Sequence, residues 1–146
     1  MTFILHPNAA ARKASAISLI KYVLACRDSQ VLNVHLNELL TALIWKLTEA
    51  ESRHKHKTRF QSEGAIQCAD PRRLRHEHVF QRGKMIEELR AAIIESNVDN
   101  ILAKSVGCTV TVGEHATLAS FESAYGWERY RKAGIVVIDT VTGERL

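Results

Sequence analysis

No apolar run in this sequence approaches the ~20 residues needed to cross a bilayer, and residues 1–8 have neither a positive leading region nor an apolar core long enough for a secretion signal. A soluble, unexported, cytoplasmic protein is expected. Its three cysteines, Cys26, Cys68 and Cys108, are odd in number and lack any C-x-x-C spacing, which argues against a disulfide framework or a thiolate zinc site. They read as reduced thiols. No helix-turn-helix, zinc finger, RRM signature or P-loop can be read, nor any internal repeat or low-complexity tract. The basic residues are not interleaved with aromatics, so a base-stacking platform for single strands is not indicated.

What is present suits one globular domain over residues 1–146. At 46% hydrophobic residues the chain can bury roughly two-thirds of its unfolded surface. Its charge is unevenly placed. Arg53, Lys55, Lys57, Arg59, Arg72, Arg73, Arg75, Arg82, Lys84 and Arg90 are half of the 20 basic residues, and they fall in one quarter of the length. Against them stand Glu63, Asp70, Glu77, Glu87 and Glu88, so this segment carries about +5 and the remainder about −1 of the net +4. Four of the seven histidines lie in the same segment. A near-neutral body with one basic face suggests a polyanionic partner.

The expected fold class is α+β and mostly α-helical. An apolar stripe through Ile17, Ile20 and Leu24 predicts a helix from about Asn8 to Arg27. Asp28-Ser29 would cap a second, with Leu32, Leu36, Leu39, Leu40, Leu43 and Leu47 on one face. The two should form an antiparallel hairpin whose leucine-rich faces supply the core or a homodimer interface. From Ser52 to Gly64 almost no apolar residue occurs besides Phe60, which predicts a solvated helical extension or a mobile basic connection over residues 52–70. Met85, Ile86, Leu89 and Ile93 restore a helical pattern, and Ser96-x-x-Asp99 resembles a capping box. Cys108, Val110 and Val112 alternate as a half-buried strand, and Thr111-x-x-Glu114 reads as a helix start. Gly134 suits a C-cap, and the run Ile135 to Ile138 is expected to pair with Cys108 to Val112 as a small two-stranded element.

Three clusters carry candidate chemistry. His54-Lys55-His56-Lys57 reads as a solvated basic face, or as a phosphate or acidic-surface contact. On a helix its histidines would lie ~200° apart, too divergent for one metal. In Leu74-Arg75-His76-Glu77-His78-Val79-Phe80 an extended chain would turn His76, His78 and Phe80 one way and Glu77 and Val79 the other; a helix would make the histidines diverge. Structural histidines with a Glu77–arginine salt bridge are one reading, and a catalytic or metal site is another. Around Trp127 and Tyr130, the two aromatics should pack a short helix onto the sheet while Glu128, Arg129, Arg131 and Lys132 stay solvated.

Glu77-His78 ahead of a helix, followed by Asn97 or Asn100 and then His115, resembles the order of parts in HNH-type nucleases over about forty residues. That resemblance implies that Glu77 and His115 hold a divalent metal, His78 activates water and Asn97 orients it. The chain departs from the pattern where the family has a hairpin after the histidine, since Gly83 to Ser96 reads as helix. A small helical α+β protein with a concentrated basic face also resembles phage- and plasmid-borne factors that bind host nucleoprotein machinery, anti-CRISPR inhibitors among them. On that reading the protein is non-enzymatic and needs no cofactor. Its partner is a protein or ribonucleoprotein complex, with direct nucleic-acid contact or a nucleic-acid-binding antitoxin role as alternatives. The binding residues would be Arg53, Lys55, Lys57, Arg59, Arg72, Arg73, Arg75, Arg82 and Lys84, with no membrane contact.

Overall fold

The computed structural model describes residues 2–92 and 94–146, so Ile93 of the expected apolar stripe lies outside the described residues. Helices α1 (Ala9–Ala25) and α2 (Asn33–Glu49) lead to strand β1 (Phe60–Ser62) and helix α3 (Glu63–Gln67). A 3-10 turn at Pro71–Arg73 opens strand β2 (Leu74–His78), followed by α4 (Arg82–Ala91) and α5 (Glu95–Leu102). Strand β3 (Gly107–Thr111), helices α6 (Val112–Ala119) and α7 (Trp127–Lys132), and strand β4 (Val137–Asp139) complete an α+β fold that is mostly helical. Among the described residues no helix is long and apolar enough to cross a membrane.

The helical hairpin forms as its periodicity predicts, with a different start and face for α2. Asp28 Oδ1 accepts from the Gln30 N–H at 2.9 Å, so its carboxylate is spent inside the turn and α2 begins only at Asn33. The buried face runs through Leu40, Ile44 and Leu47, leaving Leu32 and Leu39 exposed. These side chains join Ile20 of α1, Met85, Ile86 and Leu89 of α4, and Leu102 of α5 in one apolar cluster. Burial of each such side chain stabilises the fold by about 1.5–3 kcal/mol. Arg90 fastens α4 to α2 by donating to Asn33 Oδ1 and Asn37 Oδ1, each at 2.7 Å. Helix α5 starts at Glu95, which puts Ser96 inside the helix rather than at its cap.

The sheet has four strands in the order β2-β3-β1-β4, and this corrects the expected two-stranded element. Both edges of β3 are taken, by β2 antiparallel and by β1 parallel, so β4 pairs with β1 instead. Residues 60–62, expected to be solvated or mobile, form an interior strand. Gln61 and Ser62 are wholly buried there, and each places a polar side-chain atom on a partner. Gln61 Nε2 donates to the Thr58 carbonyl at 2.9 Å, and Ser62 Oγ donates to Glu114 Oε2 at 2.6 Å.

Ser62 and Thr111 end the two parallel strands and cap the helices that follow. Ser62 Oγ accepts from the Ala65 N–H, and Thr111 forms the expected capping box with Glu114. Because Ser62 and Thr111 both donate to Glu114 Oε2, that one carboxylate joins both caps. The outer edge of β4 is covered by residues 144–146, through bonds from the Asp139 N–H to the Glu144 carbonyl and from the Leu146 N–H to the Val137 carbonyl.

Directly opposed strand residues share a face, so the register defines two rows across the sheet. His76, Thr109, Gln61 and Ile138 form one; Glu77, Cys108, Phe60 and Asp139 form the other. Phe60 and Cys108 of the second row belong to an apolar cluster in which Trp127 and Tyr130 pack α7 against them and against Val110 and Val137. Arg59 clamps this row at β4, where its guanidinium donates to both Asp139 oxygens at 2.6–3.0 Å. The clamp, with backbone N–H groups of Val141 and Thr142, lowers the Asp139 pKa to about 2.

The turn entering α7 depends on Gly126, which has φ +64° and lies so close to Phe80 that an added Cβ would stand 2.3 Å from the ring. Gly126→Ala combines left-handed strain with a clash and should cost roughly 2–4 kcal/mol. Urea denaturation of the variant checks this, with an unchanged midpoint contradicting it.

Candidate functional site

Strand β2 is extended, so the pairwise alternation of its side chains separates the site residues. His76 and His78 turn toward α2, where both pack on Trp45 with ring centroids 5.2 and 4.7 Å away. His78 Nδ1 lies 3.1 Å from Thr48 Oγ1, whose only hydrogen is given to the Ile44 carbonyl at 2.8 Å. The imidazole is therefore the donor at Nδ1, which leaves Nε2 as a bare acceptor. That Nε2 is buried without a partner, as are both ring nitrogens of His76 and Nδ1 of His56. Gly107 makes the fit possible, since a Cβ there would meet the His76 ring at 2.6 Å.

These environments oppose protonation. Burial, then the charges of Arg82, His76 and Arg129, lowers His78 to about 3. Burial also lowers His76, against the pull of the Lys55 backbone and Glu49. His56 is lowered by burial and by Lys55 and Arg75 beside it. Lys55, Arg75 and Arg82 thus surround three imidazoles. The two halves of the basic segment, apart in sequence, meet over this strand.

On the opposite face Glu77 is shared by an imidazole and a guanidinium. Its Oε2 lies 2.5 Å from His115 Nδ1, and its Oε1 accepts from Arg129 Nη2 at 2.9 Å. Arg129, expected to be solvated, is 2% exposed; Nη2 also donates to the His78 carbonyl and Nη1 to Glu122. Burial succeeds because the guanidinium meets two carboxylates and a backbone acceptor. Glu77 and His115 consequently anchor α6 and α7 to β2.

The arrangement required by the HNH resemblance does not assemble. Glu77 and His115 meet, but neighbouring strand residues face opposite ways, so His78 points under α2 and is 6% exposed. Asn97 lies on exposed α5. Glu77 already has one oxygen on Arg129 and the other on His115, and no cluster of three His, Cys, Asp or Glu able to hold a metal occurs among the described residues. A divalent metal does not fit the residues present.

The nine basic candidates also divide. Arg59 is bound to Asp139 and Arg72 to Asp70, while Lys84 donates to the Glu122 and Ala124 carbonyls. Arg82 lies over the Trp45 ring at 5.2 Å. Arg75 donates to the Arg72 and Leu74 carbonyls and keeps its charge. No carboxylate pairs with Arg53, Lys55, Lys57, Arg73, Arg75 or Arg82 among the described residues. Sequence reading missed Trp45, Thr48 and Arg129; the helical spacing of Trp45 and Thr48 on α2 was the available signal for the first two.

Compared with known proteins, the chain matches no family model, no curated protein and no solved structure.

Two measurements test this site. Arg129→Met strands Glu77 and should cost about 3–5 kcal/mol, whereas Arg131→Ala on the exposed side of α7 should stay within about 0.5 kcal/mol. Equal urea midpoints for the two variants would contradict the buried pair. Unfolding returns His76 and His78 to ordinary values near 6.5, so below that pH the unfolded chain binds more protons. Their contribution to stability is complete above about pH 6.5 and declines with acidification toward the folded values, by at most roughly 1.4 kcal/mol per pH unit for each imidazole. Urea midpoints should fall between pH 7 and pH 5, and less steeply in His78→Gln.

Proposed function

We propose that this chain is a non-enzymatic interaction protein whose basic face engages the phosphate backbone of a nucleoprotein complex and blocks or displaces its nucleic acid. One observation carries the reading: three of the five carboxylates of the basic segment pair with bases outside it. Glu63 pairs with Arg145 at 2.7 Å, Glu77 with Arg129 and His115, and Glu88 with Lys104 at 3.0 Å. All of these bases come from outside the segment. Among the described residues Asp70 alone pairs within it, with Arg72.

The charge excess is therefore left on Arg53, Lys55, Lys57, Arg73, Arg75 and Arg82. Arg53, Lys55, Arg73 and Arg75 are exposed, and Lys57 and Arg82 are half-exposed. Guanidinium and ammonium groups placed this way suit phosphate oxygens, and neutralising them releases condensed counterions. Trp45, the aromatic under Arg82, is occupied by that guanidinium and the two histidines, so recognition rests on charge rather than on base stacking.

Fluorescence anisotropy with a mixed-sequence DNA duplex at several salt concentrations tests the proposal. Wild-type affinity should fall steeply with salt, and the Arg73→Ala/Arg75→Ala double variant should reduce the log–log slope by about two. Lys55→Ala/Lys57→Ala should act similarly. Salt-insensitive binding, or metal-dependent cleavage of the duplex, overturns the proposal.

A further inference from the structure

His56 sits half-buried in the segment that carries Arg53, Lys55 and Lys57, with its Nδ1 unpartnered. His76 is only 9% exposed, with neither nitrogen paired. Facing His76 are Glu49 from α2, the Lys55 backbone and His56 from residues 53–58, and Glu77 and His78 from its own strand. His78 is committed to Thr48 and stands near Arg82 of α4 and Arg129 of α7. Lys55 and Arg75 stand beside His56. Imidazoles able to accept a proton are thus placed among the cations of the binding face.

We infer that polyanion binding at this face is linked to proton uptake at His56, with His76 next to it as the second acceptor. The inference rests on the binding function proposed above. Lys55 and Arg75, whose positive charge opposes an imidazolium at His56, are the groups a phosphate backbone would neutralise. With phosphate bound, the potential at His56 changes from repelling a proton to attracting one. Linkage makes the effect reciprocal: a protein already protonated there binds the polyanion more tightly. His78 stays neutral throughout, because its Nδ1–H is held by Thr48 and its surroundings are the most hostile to charge.

The test uses the DNA duplex as probe and the full chain carrying His54→Gln, which removes the exposed neighbouring imidazole. Calorimetric titrations at pH 6 in two buffers of different ionisation enthalpy count protons taken up on binding. About one proton per bound protein is expected, and affinity at pH 6 should exceed that at pH 8 roughly threefold to tenfold, as one linked proton allows. Adding His56→Gln should remove most of the uptake and of the pH dependence, and adding His76→Gln the remainder. Binding that is equally tight at both pH values without uptake overturns this inference alone, as does uptake that survives both substitutions. Absence of duplex binding at either pH and at low salt overturns the binding function, and this inference with it.

Discussion

A guanidinium that is 2% exposed must find its acceptors inside the fold, and Arg129 finds them on Glu77, on the His78 carbonyl and on Glu122. Removing any of these would leave a buried charge poorly compensated, so the interaction sets the position of β2 against α7 more firmly than apolar contact alone. Glu77 extends the same anchorage to α6 through His115. Once Glu77 is held on this face, the pleat requires His76 and His78 to turn the other way. Trp45 and Thr48 of α2 receive them there. One buried cation thereby determines how the helical hairpin meets the sheet.

This arrangement also distributes charge. Glu77 and Glu88 neutralise cations outside the basic segment, and Glu63 reaches Arg145 near the far end of the chain. Of the acids within residues 53–84, Glu63 and Glu77 are engaged with bases outside that stretch, and Asp70 is held by Arg72 inside it. The interface between α2 and the sheet is polar because strand β2 turns His76 and His78 toward it, with Arg75 and Glu77 on the opposite face. Neutral imidazoles tolerate such burial where charged ones would not.

Residues with a strong period were legible from sequence, and residues whose neighbours lie far along the chain were not. Leu36, Leu40, Leu43 and Leu47 repeat at helical spacing, and Thr111 with Glu114 is a self-contained cap, so the existence of α2 and the start of α6 follow from local patterns, although the buried face of α2 runs through Ile44. Phe60, Gln61 and Ser62 look solvated because two of the three are polar. Their burial depends on Thr58 nearby and on Glu114, fifty-two residues away from Ser62. Arg129 sits among three charged neighbours, Glu128, Arg131 and Lys132, that suggest a solvated helix, and only tertiary contact with β2 reverses this. The two-residue period correctly separated His76 and His78 from Glu77 once the strand was extended. That same separation removes His78 from the company of Glu77 and His115.

At both lateral boundaries of the sheet the chain itself occupies some of the backbone hydrogen-bonding groups. Residues 144–146 lie along β4, and at β2 the side chains of Arg75 and Arg129 occupy the Leu74 and His78 carbonyls. A strand from another molecule would have to displace a guanidinium or the closing segment before it could register. Short strands, arginines on the rim and a covered margin together disfavour end-to-end growth into fibrils, an assembly hazard inherent in any open sheet. Substitution of Arg75 therefore bears on colloidal behaviour as well as on charge: it would uncover part of a template for polymerisation.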